Sequence, residues 1–208
     1  MQEKLAKAWQ LFDSGELAKA ESLYLDCFRQ AHSNNHREYI TVLMGLIYVE
    51  SALTRYDEAR KYAEVLLGAA YTDEERRIAV HQCGMVERMA GNYYEAKKLF
   101  QQEVELIHKA FSDDNLRLAA NFYEQAYIDL KTGNVDSAEE IMNLSLEFAK
   151  AAKDDICIGC ACRGMGEIMK MRSNNEQALQ WFLKAIEAFL DAGDLIAVEE
   201  VKALAEIQ

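Results

Sequence analysis

A short motif recurs five times along this chain and constrains its fold more than any other feature. It reads Gly15-Glu-Leu-Ala-Lys-Ala20, Arg55-Tyr-Asp-Glu-Ala59, Gly91-Asn-Tyr-Tyr-Glu-Ala96, Gly133-Asn-Val-Asp-Ser-Ala138 and Ser173-Asn-Asn-Glu-Gln-Ala178. The closing alanines lie 39, 37, 42 and 40 residues apart, so the chain is periodic from end to end. A period of this length between amphipathic, helix-compatible stretches predicts a stack of helical hairpins. Such a unit buries its apolar face only against neighbours, so the array needs a cap.

Positions counted from each repeat alanine give the register. A small residue stands twelve before it in four units, at Ala8, Gly84, Ala126 and Gly166. A large apolar residue stands four after it, at Tyr24, Phe100, Met142 and Phe182, with Ala63 the exception. Small residues let two helices approach, and large ones fill the space between hairpins. Gly15, Gly91 and Gly133 suit a left-handed helix end. Glu16, Asn92, Asn134 and Asn174 are placed to cap the next helix. The pattern predicts helix pairs at 2–13/17–32, 37–53/56–69, 73–90/92–110, 114–131/134–152 and 154–172/174–192. A capping helix follows at 194–207. In the second unit, Met44-Gly-Leu-Ile-Tyr48 sits two residues too far from Ala59. That offset suggests an insertion near Ser51–Thr54 with Gly45 as the small packing residue; without it, Tyr48 turns toward the groove.

At this point the chain resembles the tetratricopeptide repeat family. The clearest stretch is Gly164-Met-Gly-Glu-Ile-Met-Lys-Met-Arg-Ser-Asn-Asn-Glu-Gln-Ala-Leu-Gln-Trp-Phe-Leu-Lys-Ala185. The units exceed the usual 34 residues, as in kinesin light chains and the repeat domains of bacterial peptide-pheromone receptors. The usual proline is absent, and Glu87 and Asp129 stand nine before the alanine, where the family prefers an aromatic. The resemblance implies an all-α fold: a right-handed superhelical array of about five hairpins plus a C-terminal capping helix, one domain over 1–208. It also implies a non-catalytic scaffold, adaptor or sensor for a protein or peptide segment.

Charge and cysteine usage narrow the partners. A formal net charge of −12 opposes a phosphate backbone, so no nucleic acid is expected. Residues 101–208 carry 20 acidic and 10 basic side chains against 15 and 13 in residues 1–100, which favours a cationic partner if those acids share a face. A solvated outer face is the plainer reading. The N-terminal Met1-Gln-Glu-Lys-Leu-Ala-Lys lacks the apolar core of a signal peptide, and no apolar run approaches the roughly 18 residues of a membrane span. Five cysteines without framework spacing fit a reducing cytoplasm.

Three constellations are candidate sites. Cys157-Ile-Gly-Cys160-Ala-Cys162 offers thiols for a metal or redox centre, but Cys162 points away from Cys160 on a helix and no fourth ligand is nearby. Buried structural cysteine is the alternative. His32 and His36 have metal-ligand spacing only if the turn-like Ser33-Asn-Asn is helical. The third is the groove. Side chains fifteen and eleven before the alanine share one side of each first helix. They are Leu5/Trp9, His81/Met85, Tyr123/Tyr127 and Arg163/Glu167, with Val42/Leu46 in the second unit if the insertion is present. Phe12, Arg88 and Lys170 lie one turn on. This wall either receives a partner or closes on itself as the array winds. Enzyme or metal chemistry at the cysteines or groove acids, and self-assembly through array ends, are competing functions. No cofactor motif is present.

Overall fold

The computed structural model describes residues 1–31, 35–112 and 114–206. Among them the chain forms eleven α-helices and no strand. Hairpins pair α1 (Gln2–Asp13) with α2 (Leu17–Gln30), α3 (His36–Ala52) with α4 (Tyr56–Ala69) and α5 (Asp73–Met89) with α6 (Tyr93–Ala110). They continue with α7 (Asn115–Lys131) and α8 (Val135–Ala152), then α9 (Asp155–Met171) and α10 (Asn175–Ala192), followed by α11 (Leu195–Ala205). The expected pairs hold to within two residues at each described end. The chain divides within α6 into two compact units, residues 1–102 and 103–208.

One turn geometry closes all five hairpins. The residue five before each repeat alanine is left-handed: Gly15, Gly91 and Gly133 as expected, but also Thr54 at φ 58° and Ser173 at φ 59°. In each case the following N–H reaches back to a first-helix carbonyl, Glu16 to Leu11, Arg55 to Glu50, Asn92 to Glu87, Asn134 to Asp129 and Asn174 to Met169, at 2.8–2.9 Å. This is the double closure of a Schellman end, which satisfies carbonyls left over by the helix. The second hairpin has the same closure at the same distance from Ala59, so it contains no insertion.

That correction reassigns Gly45 and Ile47. Gly45 lies fourteen before Ala59, where a Cβ would run into the Tyr24 ring on α2. Gly164 holds the same position against Met142 on α8. Ile47 takes the place twelve before the alanine, and the hairpin accommodates it because Ala63 is small where other hairpins carry a large residue. The two sizes are exchanged, and both side chains are buried. Elsewhere the expected order stands: a Cβ on Gly84 would lie 2.8 Å from Phe100.

Side-chain capping falls mostly at the first helices. Asn35, Thr72, Asp114, Asp154 and Asp194 each accept an N–H of the third residue of the helix that follows, and Thr72 forms a full capping box with Glu75. Among the second helices, Asn174 caps α10. Glu16 and Asn134 make no such bond, and Asn92 donates its amide to Glu87 at 2.6 Å.

Candidate functional site

In the first compact unit, α1, α3 and α5 present their fifteen-before and eleven-before positions on one side. With the register corrected these are Leu5/Trp9, Met44/Tyr48 and His81/Met85. Val42 and Leu46 do not belong to this wall. Both are fully buried with Val49 in a core shared with Tyr24 and Cys27 of α2, because the i, i+4, i+7 stripe of α3 faces the first hairpin. Leu5 is buried as well.

Tyr48, which an insertion would set aside in favour of Leu46, completes an aromatic cluster. Its ring centroid lies 6.1 Å from Trp9 and 6.3 Å from Phe12, and those two stand 5.4 Å apart. These separations suit tilted and edge-on ring contacts. Beside the cluster is a cavity of about 330 Å³ between α3 and α5, lined by Phe12, Tyr48, Ser51, His81, Met85 and Met89 among others. Its wall is chiefly apolar, with two thioethers that adapt to varied shapes. Ser51 is 4% exposed, and its Oγ has no hydrogen-bond partner. Burial raises the Tyr48 hydroxyl above its ordinary range, partly offset by a hydrogen bond with Gln82. The phenol therefore stays protonated in neutral solution. His81 packs edge-on against Phe100 at 5.5 Å, and the Arg88 Nη2 lies 4.0 Å from the Met85 sulfur.

The second compact unit carries a more polar wall. Tyr123 and Tyr127, one turn apart on α7, have centroids 6.3 Å apart. Arg163 of α9 donates from Nη2 to the Tyr123 hydroxyl at 2.6 Å, and its Nη1 lies 3.4 Å from Glu200 of α11. Burial pushes the Tyr123 hydroxyl well up, so it meets Arg163 as a neutral acceptor. Lys131 sits over the Tyr127 ring at 4.8 Å and 4.0 Å from Glu167. Lys170 donates to the Leu204 carbonyl at 3.0 Å and pairs with Glu206 at 3.1 Å. Two neighbouring first helices thus bring together Tyr123, Tyr127, Arg163 and Glu167.

The acids nine before the alanine are committed elsewhere. Glu87 takes the Arg60 guanidinium in a bidentate pair at 2.6 and 3.0 Å, and that bond with the Asn92 contact holds its carboxyl below the usual range. Asp129 accepts from the Ser137 hydroxyl at 2.6 Å. Glu50 occupies the same position in the second hairpin and is 3% exposed; burial, aided by nearby Glu21, raises its carboxyl.

The cysteines lie in surroundings that oppose the thiolate. Burial raises the thiols of Cys157, to about 12, and of Cys160 and Cys162. Among the described residues no three His, Cys, Asp or Glu side chains converge as metal ligands. His32 lies outside the described residues, and His36 pairs instead with Glu75 at 2.8 Å. No described helix is long and apolar enough to cross a membrane.

Residues 76–151 match the tetratricopeptide repeat family model. Among solved structures, PlcR of Bacillus thuringiensis, crystallised with the peptide PapR7 and DNA, is similar over 96% of this chain and 73% of its own, with a TM-score of 0.78 at 11% identity. TTC0263, a thermophilic TPR protein of Thermus thermophilus, is similar over 98% and 97%, with a TM-score of 0.69 at 15% identity. YrrB, described as a TPR protein with an unusual peptide-binding site, is similar over 96% and 90%, with a TM-score of 0.50 at 19% identity. At such identities the likeness is one of fold. No curated protein sequence matches the chain.

Proposed function

We propose that the chain, whose residues 76–151 match the tetratricopeptide repeat family model, is a non-catalytic scaffold, an adaptor or sensor that binds a peptide or extended protein segment along its first-helix faces. The observation that carries this reading is the cavity beside Trp9, Phe12 and Tyr48. It combines apolar walls with a buried hydroxyl, Ser51, that no protein group satisfies. A ligand bearing both an apolar body and a polar tip matches that combination. PlcR with PapR7 and the peptide site of YrrB support a peptide as the ligand class.

The wall of the second compact unit supplies different chemistry. Tyr123 and Tyr127 offer flat apolar surface, and Arg163, already aligned by the Tyr123 oxygen, presents a fork that suits peptide carbonyls. Trp9, Phe12, His81, Met85, Arg88, Tyr123, Tyr127, Arg163 and Glu167 are the contact residues of this proposal, with Tyr48 added and Leu46 removed. The net charge of −12 and five thiols fit a cytoplasmic protein whose partner is not nucleic acid.

Affinity capture from native lysate tests the reading when wild-type protein is compared with a Tyr127→Ala, Arg163→Ala double variant and a Trp9→Ala, Tyr48→Ala double variant. The proposal expects each folded variant to lose retained partners. If both stay helical and keep every wild-type partner equally well, these faces are not the binding surface.

A further inference from the structure

On its solvent side α10 departs from the pattern of the other second helices. It buries Ala178, Phe182, Ala185 and Phe189 and carries a second stripe alongside: Leu179, Leu183, Ile186 and Leu190, at spacings of four, three and four. The three leucines are 42%, 50% and 52% exposed. At 3.6 residues per turn the four positions fall within an arc of about 60°. The hairpin fold does not demand this stripe. The same positions relative to the repeat alanine hold Glu139, Asn143 and Lys150 in α8, and Arg60 and Glu64 in α4; only the Ile186 position is regularly apolar.

The stripe has an acidic border along α10. Glu176 and Glu187 continue directly from it around α10, with Asp191 beyond them, and among the described residues no cation pairs with any of the three. On the other side is α11, whose Val198 and Val201 pack inward while Leu195 is 65% exposed and the exposed Glu199 is paired with Lys202 at 2.8 Å. At the far end Leu179 and Leu204 line a cavity of about 270 Å³. Residues 175–206 carry seven acidic side chains and two lysines.

We propose that this face of α10, bordered by α11, is a second docking surface, and that it takes an amphipathic helix with an apolar seam flanked by Lys and Arg. A four-three-four seam is the pattern another helix packs against. The unpaired carboxylates of its α10 border, Glu176, Glu187 and Asp191, select a basic flank and oppose an acidic one. The surface is distinct from the first-helix walls, so its failure leaves the proposed function standing.

Two synthetic 18-residue helical peptides test it by fluorescence anisotropy. They share one leucine seam and differ only in flanks, all Lys or all Glu. The Lys peptide binds, at least tenfold more tightly than the Glu peptide, and weakens as salt is raised. Leu183→Asn, at an exposed position, loses tenfold or more with helicity unchanged, and so does Glu176→Lys with Glu187→Lys. Reversing Glu140 and Glu147 on α8 to lysine changes binding less than threefold. Equal binding of both peptides, no binding of either, or a loss as large from the α8 reversals overturns the proposal. So does a concentration-dependent rise in mass that Leu183→Asn abolishes, because a second copy of the chain is then the occupant.

Discussion

Thr54 and Ser173 occupy the left-handed position that glycine fills in three other hairpins. A β-branched residue there bears the steric cost of a Cβ against the following carbonyl. Thr54→Gly relieves it, less the entropy glycine adds to the unfolded chain. The expected gain is about 0.5–1 kcal/mol in urea unfolding, while Gly91→Val loses stability. Two of the acids nine before the alanine make opposite predictions with pH. Glu87 is held below the ordinary carboxylate range by Arg60, so its contribution is present above that range and is lost as pH falls through its folded value. Glu87→Gln therefore costs about 1–2 kcal/mol at pH 7, and the deficit shrinks on acidification. Glu50 is raised by burial, so the folded state prefers its protonated form and that advantage is lost as pH rises. Glu50→Gln is accordingly more stable than wild type at pH 7, with a margin that narrows toward pH 4. Thermal unfolding of both variants across that window checks the two signs together.

Among the elements, α11 has the clearest energetic role. Val198 and Val201 enter the core formed by α7 to α10, where Met165, Phe182 and Phe189 are buried. Val201 is fully buried, so Val201→Ala removes two methyl groups from a packed site and costs about 2 kcal/mol. An unchanged denaturation midpoint would mean that α11 does not seal this core. The helices themselves are legible in the sequence because each has an apolar stripe and a recurring closure. The second hairpin misleads for a physical reason. Large and small residues trade places between Ile47 and Ala63, so Gly45 offers a false register that puts Leu46 on the wall and Tyr48 off it. The constant five-residue step from left-handed residue to alanine holds the answer, obscured because Thr54 stands where glycine is expected. Ser51 and Gln82 have no periodic signal. Their roles depend on which buried polar atoms find partners, and that is settled only when helices pack.

At the scale of the molecule, periodicity determines the fold while the wall's composition bears on its use. Each compact unit has its own first-helix face, aromatic and thioether-rich in residues 1–102, tyrosine- and charge-bearing in residues 103–208. The thiols do not suggest a different chemistry, since burial keeps them protonated. In the proposed function the face beside the Trp9, Phe12 and Tyr48 cluster receives a peptide side chain. The most direct measurement is selection of a random peptide library on immobilised protein, followed by equilibrium binding of enriched peptides to wild type and to a Tyr48→Ala, Met85→Ala double variant. The expected outcome is peptides sharing one large apolar residue, with affinity falling at least tenfold on the folded variant. Peptides with no common residue, or with equal affinity for both proteins, would contradict it.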